Sequence, residues 1–285
     1  MQIEVKPDYT KSLDTLNMEW EDCTKCPLGK QRDSMRALQA FGEGEAGGIM
    51  FISGGPGEQD SLEGRPFTGP AGVDVLRPVI DALGIFDVSY LTNLVVCRSC
   101  SQMYDGQGQP MFEKDENGVV VPRWRDEDPN AQWIVPCFPR LMEEIYIVDP
   151  VIIVTLGRPA AEALRGKPVA ITRDRGSVEE ITIPGATLDM VLTEKKQVWA
   201  RKLNADGTFQ TVSEQSKVKY LMMPTLDPIF VARNVDDTRP APEGPFQTFA
   251  ADIRMAAKIY ERFNYEITGM RPSGASDNEI KNPEK

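Results

Sequence analysis

Residues 53–72 read SGGPGEQDSLEGRPFTGPAG, and they follow a short hydrophobic run, GIMFI, at residues 48–52. The run is typical of a buried β-strand, and residues 73–83 have a helix-like pattern. The sequence therefore predicts a strand that ends in a glycine- and proline-rich loop before a helix. In α/β proteins such loops place backbone N–H groups and a helix N-terminus beside ligands and phosphates. We therefore expect the functional site at this loop.

Other segments alternate between strand and helix patterns, as in a doubly wound α/β domain. The predicted elements are strands at 89–96, 151–157 and 220–224, and helices at 138–148, 159–164 and 248–263. We expect one domain over residues 1–266 with two inserts, at about 99–133 and 177–217. The first insert is predicted to be a hairpin or an irregular excursion, and the second to be β-rich. Residues 267–285 are polar and rich in turn formers, which predicts a disordered tail.

The 285-residue chain contains no histidine and carries a formal net charge of −11. Without histidine, acid–base chemistry must use carboxylates, lysine, tyrosine or water, and metals must be held by cysteine, aspartate or glutamate. The negative charge argues mildly against a protein that coats nucleic acid, although a basic groove can lie on an acidic protein. No secretion signal is evident, and no apolar run approaches the ~18–20 residues that span a bilayer. We therefore expect a cytoplasmic protein with no membrane partner.

The five cysteines are Cys23, Cys26, Cys97, Cys100 and Cys137. Their odd number, without a secretion signal, argues against a disulfide framework. Cys23 and Cys26 form a C-x-x-C pair, whose spacing lets two thiolates bind one metal centre from a tight turn. Because the chain has no histidine, the pair predicts either an all-cysteine zinc site or an iron–sulfur cluster. Scattered buried cysteines are the alternative interpretation.

The loop at 53–72 resembles the first motif of the iron–sulfur (family 4) uracil-DNA glycosylases, GEAPGEQEDxxGRPFVGPAG. Other segments are similar to that family in the expected order: CTKCPL at 23–28, TNLVVCR at 92–98, CFPRL at 137–141 and PTLDPIFVAR at 224–233. The resemblance implies an α/β fold, a three-layer sandwich with a central, mostly parallel sheet. It also implies a 4Fe-4S cluster, with zinc less favoured, on Cys23, Cys26, Cys97 and Cys137.

The resemblance further implies that the protein binds DNA, single- or double-stranded, and flips a base into a pocket. Phe67 is then expected to stack on the flipped base, and Asn93 to form a hydrogen bond with its polar edge. Arg233, which ends the second motif, belongs to the same DNA-binding set. Small residues allow a backbone to approach the sugar and phosphate, a role implied for Ser53, Gly54, Gly55, Pro56 and Gly57. We expect the protein to act as a monomer.

The chain departs from this family at two positions that the family uses for chemistry. Gly54 replaces a glutamate that orients or activates water, and Asp227 replaces a histidine that stabilises charge on the departing base. A carboxylate near a developing anion is unfavourable unless it, or the leaving base, is protonated. The acids that remain in the motifs are the catalytic candidates, with the first named preferred for water activation: Asp60, Asp227 and Glu58.

These departures predict a substrate other than plain uracil. Asp227 can accept a hydrogen bond from an exocyclic amino group, and the glycines at 54 and 55 are expected to enlarge the pocket. We therefore expect excision of a bulky or amino-bearing modified pyrimidine, such as a hypermodified base of viral DNA, which fits a defence role. Two alternatives stay open. One is a DNA-binding iron–sulfur protein of the same fold without catalysis, and the other is an iron–sulfur protein with no nucleic-acid role.

Overall fold

The computed structural model describes residues 12–115, 117–183, 199–203, 209–211, 218–234, 236–241 and 243–268. Its helices are α1 Leu13–Trp20, α2 Pro27–Met35, α3 Glu58–Glu63, α4 Arg77–Ala82, α5 Ala131–Val148, α6 Arg158–Arg165, α7 Ile171–Asp174, α8 Pro228–Arg233 and α9 Pro245–Thr268. Its strands are β1 Glu43–Gly44, β2 Ile49–Ser53, β3 Ser89–Asn93, β4 Cys100–Gln102, β5 Phe112–Lys114, β6 Val120–Pro122, β7 Trp124–Asp126, β8 Ile152–Leu156, β9 Glu179–Ile183, β10 Trp199–Leu203, β11 Phe209–Thr211 and β12 Val218–Thr225. A π-helical turn, Ala71–Leu76, leads into α4.

A six-stranded sheet in the order β1-β3-β2-β8-β12-β9 forms the centre of the fold. The four inner strands are parallel, and the two edge strands, β1 and β9, run antiparallel to their neighbours. In the parallel register Ser53 pairs with Asn93, and Ile52 pairs with Thr155. The carboxyl ends of the inner strands therefore meet at one edge of the sheet, where the loops that follow them can converge.

Helices cover both faces of the sheet, because the inner strands are apolar on both sides. Along β2, Ile49 and Phe51 pack in a cluster with residues of α4 and α9. Met50 and Ile52, which alternate with them, pack on the other face with residues of α5 and α6. This arrangement of helix, sheet and helix confirms the predicted three-layer α/β sandwich with a mostly parallel sheet.

Strand β3 ends at Asn93, earlier than the predicted boundary at residue 96. Beyond it the chain leaves the ladder and runs against the loop that follows β2. The Leu94 N–H donates to the Ser53 carbonyl at 2.8 Å, and the Val95 N–H donates to the Gly54 carbonyl at 3.2 Å. The segment after Asn93 is therefore held against the start of the loop by backbone hydrogen bonds.

The first insert, 99–133, is a hairpin, one of the two predicted alternatives. Strand β4 pairs with β7 and β5 pairs with β6, both antiparallel, so that one ladder is nested within the other. Helix α5 begins at Ala131, well before the predicted start at residue 138, because the Asn130 side chain caps it by accepting from the Gln132 N–H at 2.9 Å.

The second insert and the tail differ from their predicted limits. Strand β9 falls inside the predicted insert at 177–217, yet it pairs with β12 as an edge strand of the main sheet. Helix α9 continues through Thr268, into the tail predicted at 267–285, because no glycine or proline interrupts it before residue 269. The rest of that tail and much of the insert lie outside the described residues. Within the part of the chain that is described, no helix is both long and apolar enough to cross a membrane.

Candidate functional site

The loop that follows β2 is held together by the side chain of Asp60. Its Oδ1 accepts hydrogen bonds from the Thr68 N–H at 2.7 Å, the Thr68 hydroxyl at 3.1 Å and the Gly69 N–H at 3.1 Å. Its Oδ2 accepts from the Gly57 N–H at 3.1 Å. Four donors on one carboxylate, three of them on Oδ1, fix the start of the loop against its end.

Phe67 is fixed in an uncommon backbone conformation. Its φ angle is 57°, in the left-handed region that non-glycine residues rarely adopt. Arg77 supports this turn by donating from Nε to the Phe67 carbonyl and from Nη2 to the Pro66 carbonyl, both at 3.0 Å. Gly72 lies against the same turn, since a Cβ there would come within 2.0 Å of the Phe67 carbonyl oxygen. Strained residues held by their surroundings in this way are typical of ligand-binding sites.

A cavity of about 520 Å³ lies at the ends of β2 and β3, between the Asp60 loop and α8. Ligands of open α/β sheets bind at this edge, beyond the carboxyl ends of the strands. The predicted site residues that line the cavity are Ser53, Gly55, Gly57, Glu58, Asp60, Phe67, Asn93, Asp227 and Arg233. Gly54 and Pro56 belong to the same loop but do not line the cavity.

Asn93 ends β3 with its side chain buried, at 2% exposure. Among the described residues its carboxamide nitrogen has no hydrogen-bond partner. A buried polar group without a partner is costly, so such a group in a cavity wall calls for an explanation. A ligand carbonyl oxygen would satisfy it.

Asp227 is the N-cap of α8, and its Oδ1 accepts from the Ile229 N–H at 2.7 Å. Its Oδ2 lies over Gly157, where a Cβ would be only 2.9 Å away. Burial raises the pKa of Asp227 to about 6, and the negative charge of Asp128 contributes in the same direction. Asp227 therefore holds its proton at pH values where an ordinary aspartate is fully ionised.

The space beside Gly54 and Gly55 is occupied by other residues of the chain. A Cβ on Gly54 would lie 3.1 Å from Cδ of Pro129, which belongs to the first insert. A Cβ on Gly55 would lie 2.9 Å from side-chain atoms of both Val95 and Ser99. The expectation that these two glycines enlarge the pocket is therefore wrong, because neighbouring side chains fill the volume that they release.

Asp126, at the end of β7, lines the cavity and was not predicted from the sequence. Its Oδ1 accepts from Arg98 Nε at 2.7 Å, and its Oδ2 accepts from the Glu58 N–H at 3.3 Å. The Arg98 side chain is 7% exposed and also contacts the Glu58 carboxylate at 3.2 Å. No motif marks Asp126, because it lies in the first insert, outside the segments that resemble the family.

The four predicted metal ligands come from three parts of the chain and line one small cavity. Cys23 and Cys26 precede α2, Cys97 follows β3, and Cys137 lies on α5. Burial, together with the neighbouring Cys137 and Cys26 thiols, raises the pKa of Cys97 to about 12. Among the described residues, no group of three Cys, Asp or Glu side chains is arranged to hold a metal ion. The four cysteines are thus neighbours that do not converge on a single point.

A buried ion pair on α5 lies between these cysteines and the cavity. Arg140 and Glu144 are both 0% exposed, and Arg140 Nη1 contacts Glu144 Oε2 at 2.8 Å. Glu144 also accepts from the Thr92 hydroxyl at 2.9 Å. Arg140 donates from Nη2 to the backbone carbonyl of Asn93 at 2.6 Å and forms a hydrogen bond to the side chain of Cys137. One cation thus contacts a predicted metal ligand and a cavity residue.

Three curated proteins with the name "Type-4 uracil-DNA glycosylase" are similar to this chain. The protein from Saccharolobus solfataricus is 34% identical over 155 residues, which cover 54% of this chain and 59% of the relative. The one from Sulfurisphaera tokodaii is 31% identical, with 58% of this chain and 65% of the relative covered. The protein from Pyrobaculum aerophilum is 29% identical, with 67% of this chain and 85% of the relative covered. The matched part therefore spans less than two thirds of the first two relatives.

A family-level comparison covers more of the chain than these pairwise matches do. Residues 41–248 match the family described as the Uracil DNA glycosylase superfamily. The matched range includes the loop after β2, the inner strands of the sheet and the second motif at the start of α8. It is well over half of the chain, and the resemblance found in the separate motifs is therefore confirmed. This protein belongs to the uracil DNA glycosylase superfamily and is similar to its type-4 members.

Proposed function

We propose that this protein is a DNA N-glycosylase that takes a flipped base into the cavity beyond β2 and β3 and hydrolyses its bond to the sugar. The observation that carries this proposal is the unpartnered, buried carboxamide nitrogen of Asn93 in a cavity that Phe67 also lines. An aromatic ring can stack on any base, and an amide donor can select a base carbonyl. The glycines of the loop allow close approach of the sugar and phosphate, and Arg233 offers a cation for a phosphate.

We propose further that the base bears an exocyclic amino group or another modification of a pyrimidine. A negative Asp227 would repel the charge that develops on departing uracil, whereas its protonated form can donate to the leaving base. Its ionised form can instead accept from an amino group. The cavity does not gain volume at Gly54 and Gly55, so the proposed base preference rests on Asp227 and not on a larger pocket.

The test is the formation of abasic sites in duplex and single-stranded DNA that carries either uracil or modified cytosines. Release of a modified pyrimidine at least tenfold faster than uracil supports the full proposal. Faster release of uracil contradicts the proposed base but keeps the proposed reaction. Release of no base from any substrate contradicts the reaction itself.

Replacing Asn93 by alanine is expected to lower kcat/KM for base excision about 50-fold, since one hydrogen bond in a buried site is worth roughly 1.5–3 kcal/mol. The fold should persist because the backbone carbonyl of Asn93, which Arg140 binds, is retained. The measurement is single-turnover excision together with circular dichroism. Asn17→Ala, a change of the same type in α1 away from the cavity, is the matched control. An Asn93→Ala protein with the wild-type rate would rule out this role.

Replacing Asp227 by asparagine is expected to stabilise the protein at pH 8 by about 1–3 kcal/mol, and by much less at pH 4. The folded-state pKa, about 6, lies above the ordinary value of 3.8. The wild-type protein therefore loses stability as pH rises from about 4 to 6, and the uncharged asparagine, which can still cap α8, avoids this loss. Urea unfolding at the two pH values measures the difference. Equal stability of the two proteins at pH 8 would show that burial does not penalise this carboxylate.

We propose that Asp60 and Glu58 support the loop rather than activate water. The four donors on Asp60 give it a positioning role, and Glu58 forms an ion pair with Arg98 at the surface. Asp60→Asn should therefore reduce loop stability and activity together, because an amide cannot accept all four hydrogen bonds.

We propose that Cys23, Cys26, Cys97 and Cys137 hold a 4Fe-4S cluster, which would join α2, the segment after β3 and α5. These ligands suit such a cluster, because four cysteine thiols line the same cavity and iron–sulfur clusters are held by cysteine thiolates. A single zinc ion is less well supported, since it would draw its thiolates to about 2.3 Å around one point. Iron and acid-labile sulfide should each be present at about four per chain in protein purified without air, as a cluster of this type requires.

A catalytically inactive DNA-binding protein is the second candidate. Two observations favour it: the Asp60 carboxylate is engaged in hydrogen bonds with its own loop, and position 54 is a glycine rather than an acid. It predicts DNA binding without any abasic sites, and an affinity for DNA that Asp227→Asn leaves unchanged. We further infer that residues 1–266 act as one domain and that the protein is a monomer, which light scattering would test.

A further inference from the structure

We propose that Asp126, contributed by the first insert, is the catalytic carboxylate that activates the hydrolytic water. It thereby replaces the acid that the first motif lacks at Gly54. This inference rests on the proposed glycosylase activity and names the residue on which its chemistry depends. Three observations support this inference: the position of Asp126 in the cavity wall, the hydrogen bonds that orient its carboxylate, and the packing of the insert against the loop.

Asp126 is in the right place for this role. It lines the same cavity as Asn93, Phe67 and Asp227, and its Oδ2 lies 3.5 Å from the position that a Cβ on Gly57 would take. Its side chain is 45% exposed, so that water can reach the carboxylate. A general base must be within hydrogen-bond reach of the water that it activates, and the cavity wall is where such a water would lie.

The carboxylate is oriented but not saturated. Arg98 donates to Oδ1 at 2.7 Å from a nearly buried guanidinium, and this ion pair fixes the side chain. Among the described residues Oδ2 accepts only the Glu58 N–H, at a long 3.3 Å. Oδ2 thus keeps a lone pair for water. Asp60, by comparison, accepts four hydrogen bonds.

The insert also occupies the place of the missing side chain. A Cβ on residue 54 would meet Pro129, which follows Asp126 by three residues in the same insert. The Glu127 N–H donates to the Ser99 carbonyl at 2.9 Å, and the Ser99 N–H donates to the Pro56 carbonyl at 3.2 Å. The first of these bonds joins the two ends of the insert and the second holds the insert to the loop, so that together they place Asp126 at the edge of the loop.

The proposed step conserves atoms and charge. The water oxygen forms a bond to C1′ of the flipped nucleotide, and one water proton passes to the Asp126 carboxylate. The bond from C1′ to the base nitrogen breaks, and its electron pair leaves with the base, which takes a proton from the Asp227 carboxyl or from solvent. The products are an abasic sugar and the free base, and both acids then return to their starting states by exchange with water.

The test compares Asp126→Asn with Glu127→Gln, a neighbouring acid that does not line the cavity. Asp126→Asn is expected to lower the single-turnover rate about 100-fold, a typical contribution of a general base, with Kd for DNA unchanged within threefold. Glu127→Gln should stay within twofold of the wild-type rate. Circular dichroism checks the fold of both variants.

Each outcome is informative. An Asp126→Asn protein that is folded and has the wild-type rate overturns the inference and leaves the proposed function standing. If Asp126→Asn fails to fold, Asp126→Glu takes its place: this longer acid should lower the rate at least tenfold with unchanged Kd, and a wild-type rate would overturn the inference. A wild-type protein that releases no base from any DNA contradicts the proposed function, and the role of Asp126 with it.

Discussion

If Cys137 is a ligand of the proposed 4Fe-4S cluster, its replacement by serine is expected to abolish iron binding and lower the free energy of unfolding by at least about 3 kcal/mol, since metal binding in small sites contributes directly to folding. Cys137 lies on α5, and Cys26 and Cys97 line the same small cavity. In the proposed cluster Cys137 joins α5 to the other two segments, so its loss would remove that connection. The measurements are iron and sulfide content, the broad visible absorbance of the protein, and denaturant unfolding.

The matched control is Cys100→Ser. Cys100 is as deeply buried, but its sulfur lies 3.1 Å from the sulfur of Met35 and it does not line the small cavity of the other four cysteines. Its replacement should keep the full iron content. Loss of iron in Cys100→Ser with retention in Cys137→Ser would reverse the ligand assignment. A colourless protein that contains one zinc ion per chain would contradict the proposed cluster and indicate a zinc site instead.

Replacing Arg140 by methionine is expected to lower the free energy of unfolding by about 3–5 kcal/mol, because it leaves Glu144 as an unpaired charge in the core. Both side chains are fully buried, and their contact is 2.8 Å. The Thr92 hydroxyl remains a donor to Glu144, but a neutral hydroxyl does not balance its charge. Denaturant unfolding at pH 7 measures the effect.

The double variant Arg140→Met with Glu144→Gln is the control for this pair. Once the second charge is removed, the double variant should be more stable than Arg140→Met alone by at least about 1 kcal/mol. Iron content measured on the same samples separates loss of the ion pair from loss of the metal site, since Arg140 also contacts Cys137. If the free-energy losses of Arg140→Met alone and Glu144→Gln alone add up to the loss in the double variant, the two residues are not coupled.

Much of the fold followed from local pattern. The apolar run at 49–52 and the segment at 152–156 are inner strands of a parallel sheet, as predicted. The first turns of α5, before Phe138, were not predicted, because Pro136 disfavours a helix there in a local interpretation. In the structure the Asn130 cap and the packing of α5 on the sheet outweigh that preference.

The candidate site was predicted in part. Phe67, Asn93 and Asp227 are far apart in sequence, yet they line one cavity as expected. The hydrogen bonds of Asp60 could not be predicted, because the sequence does not reveal that four donors from its own loop surround the carboxylate. The raised pKa of Asp227 likewise depends on burial, which no residue type specifies by itself.

The amino-acid sequence alone predicted the parallel α/β sheet, the loop after β2 and the set of motif residues near the strand ends. It could do so because hydrophobic period and motif order are local properties, and parallel strands bring their carboxyl ends together. The packing of the folded chain was needed to show that Pro129 fills the space beside Gly54 and that Asp126 lines the cavity. Those contacts join segments about 70 residues apart, and their formation depends on how an insert packs onto a loop rather than on any local pattern.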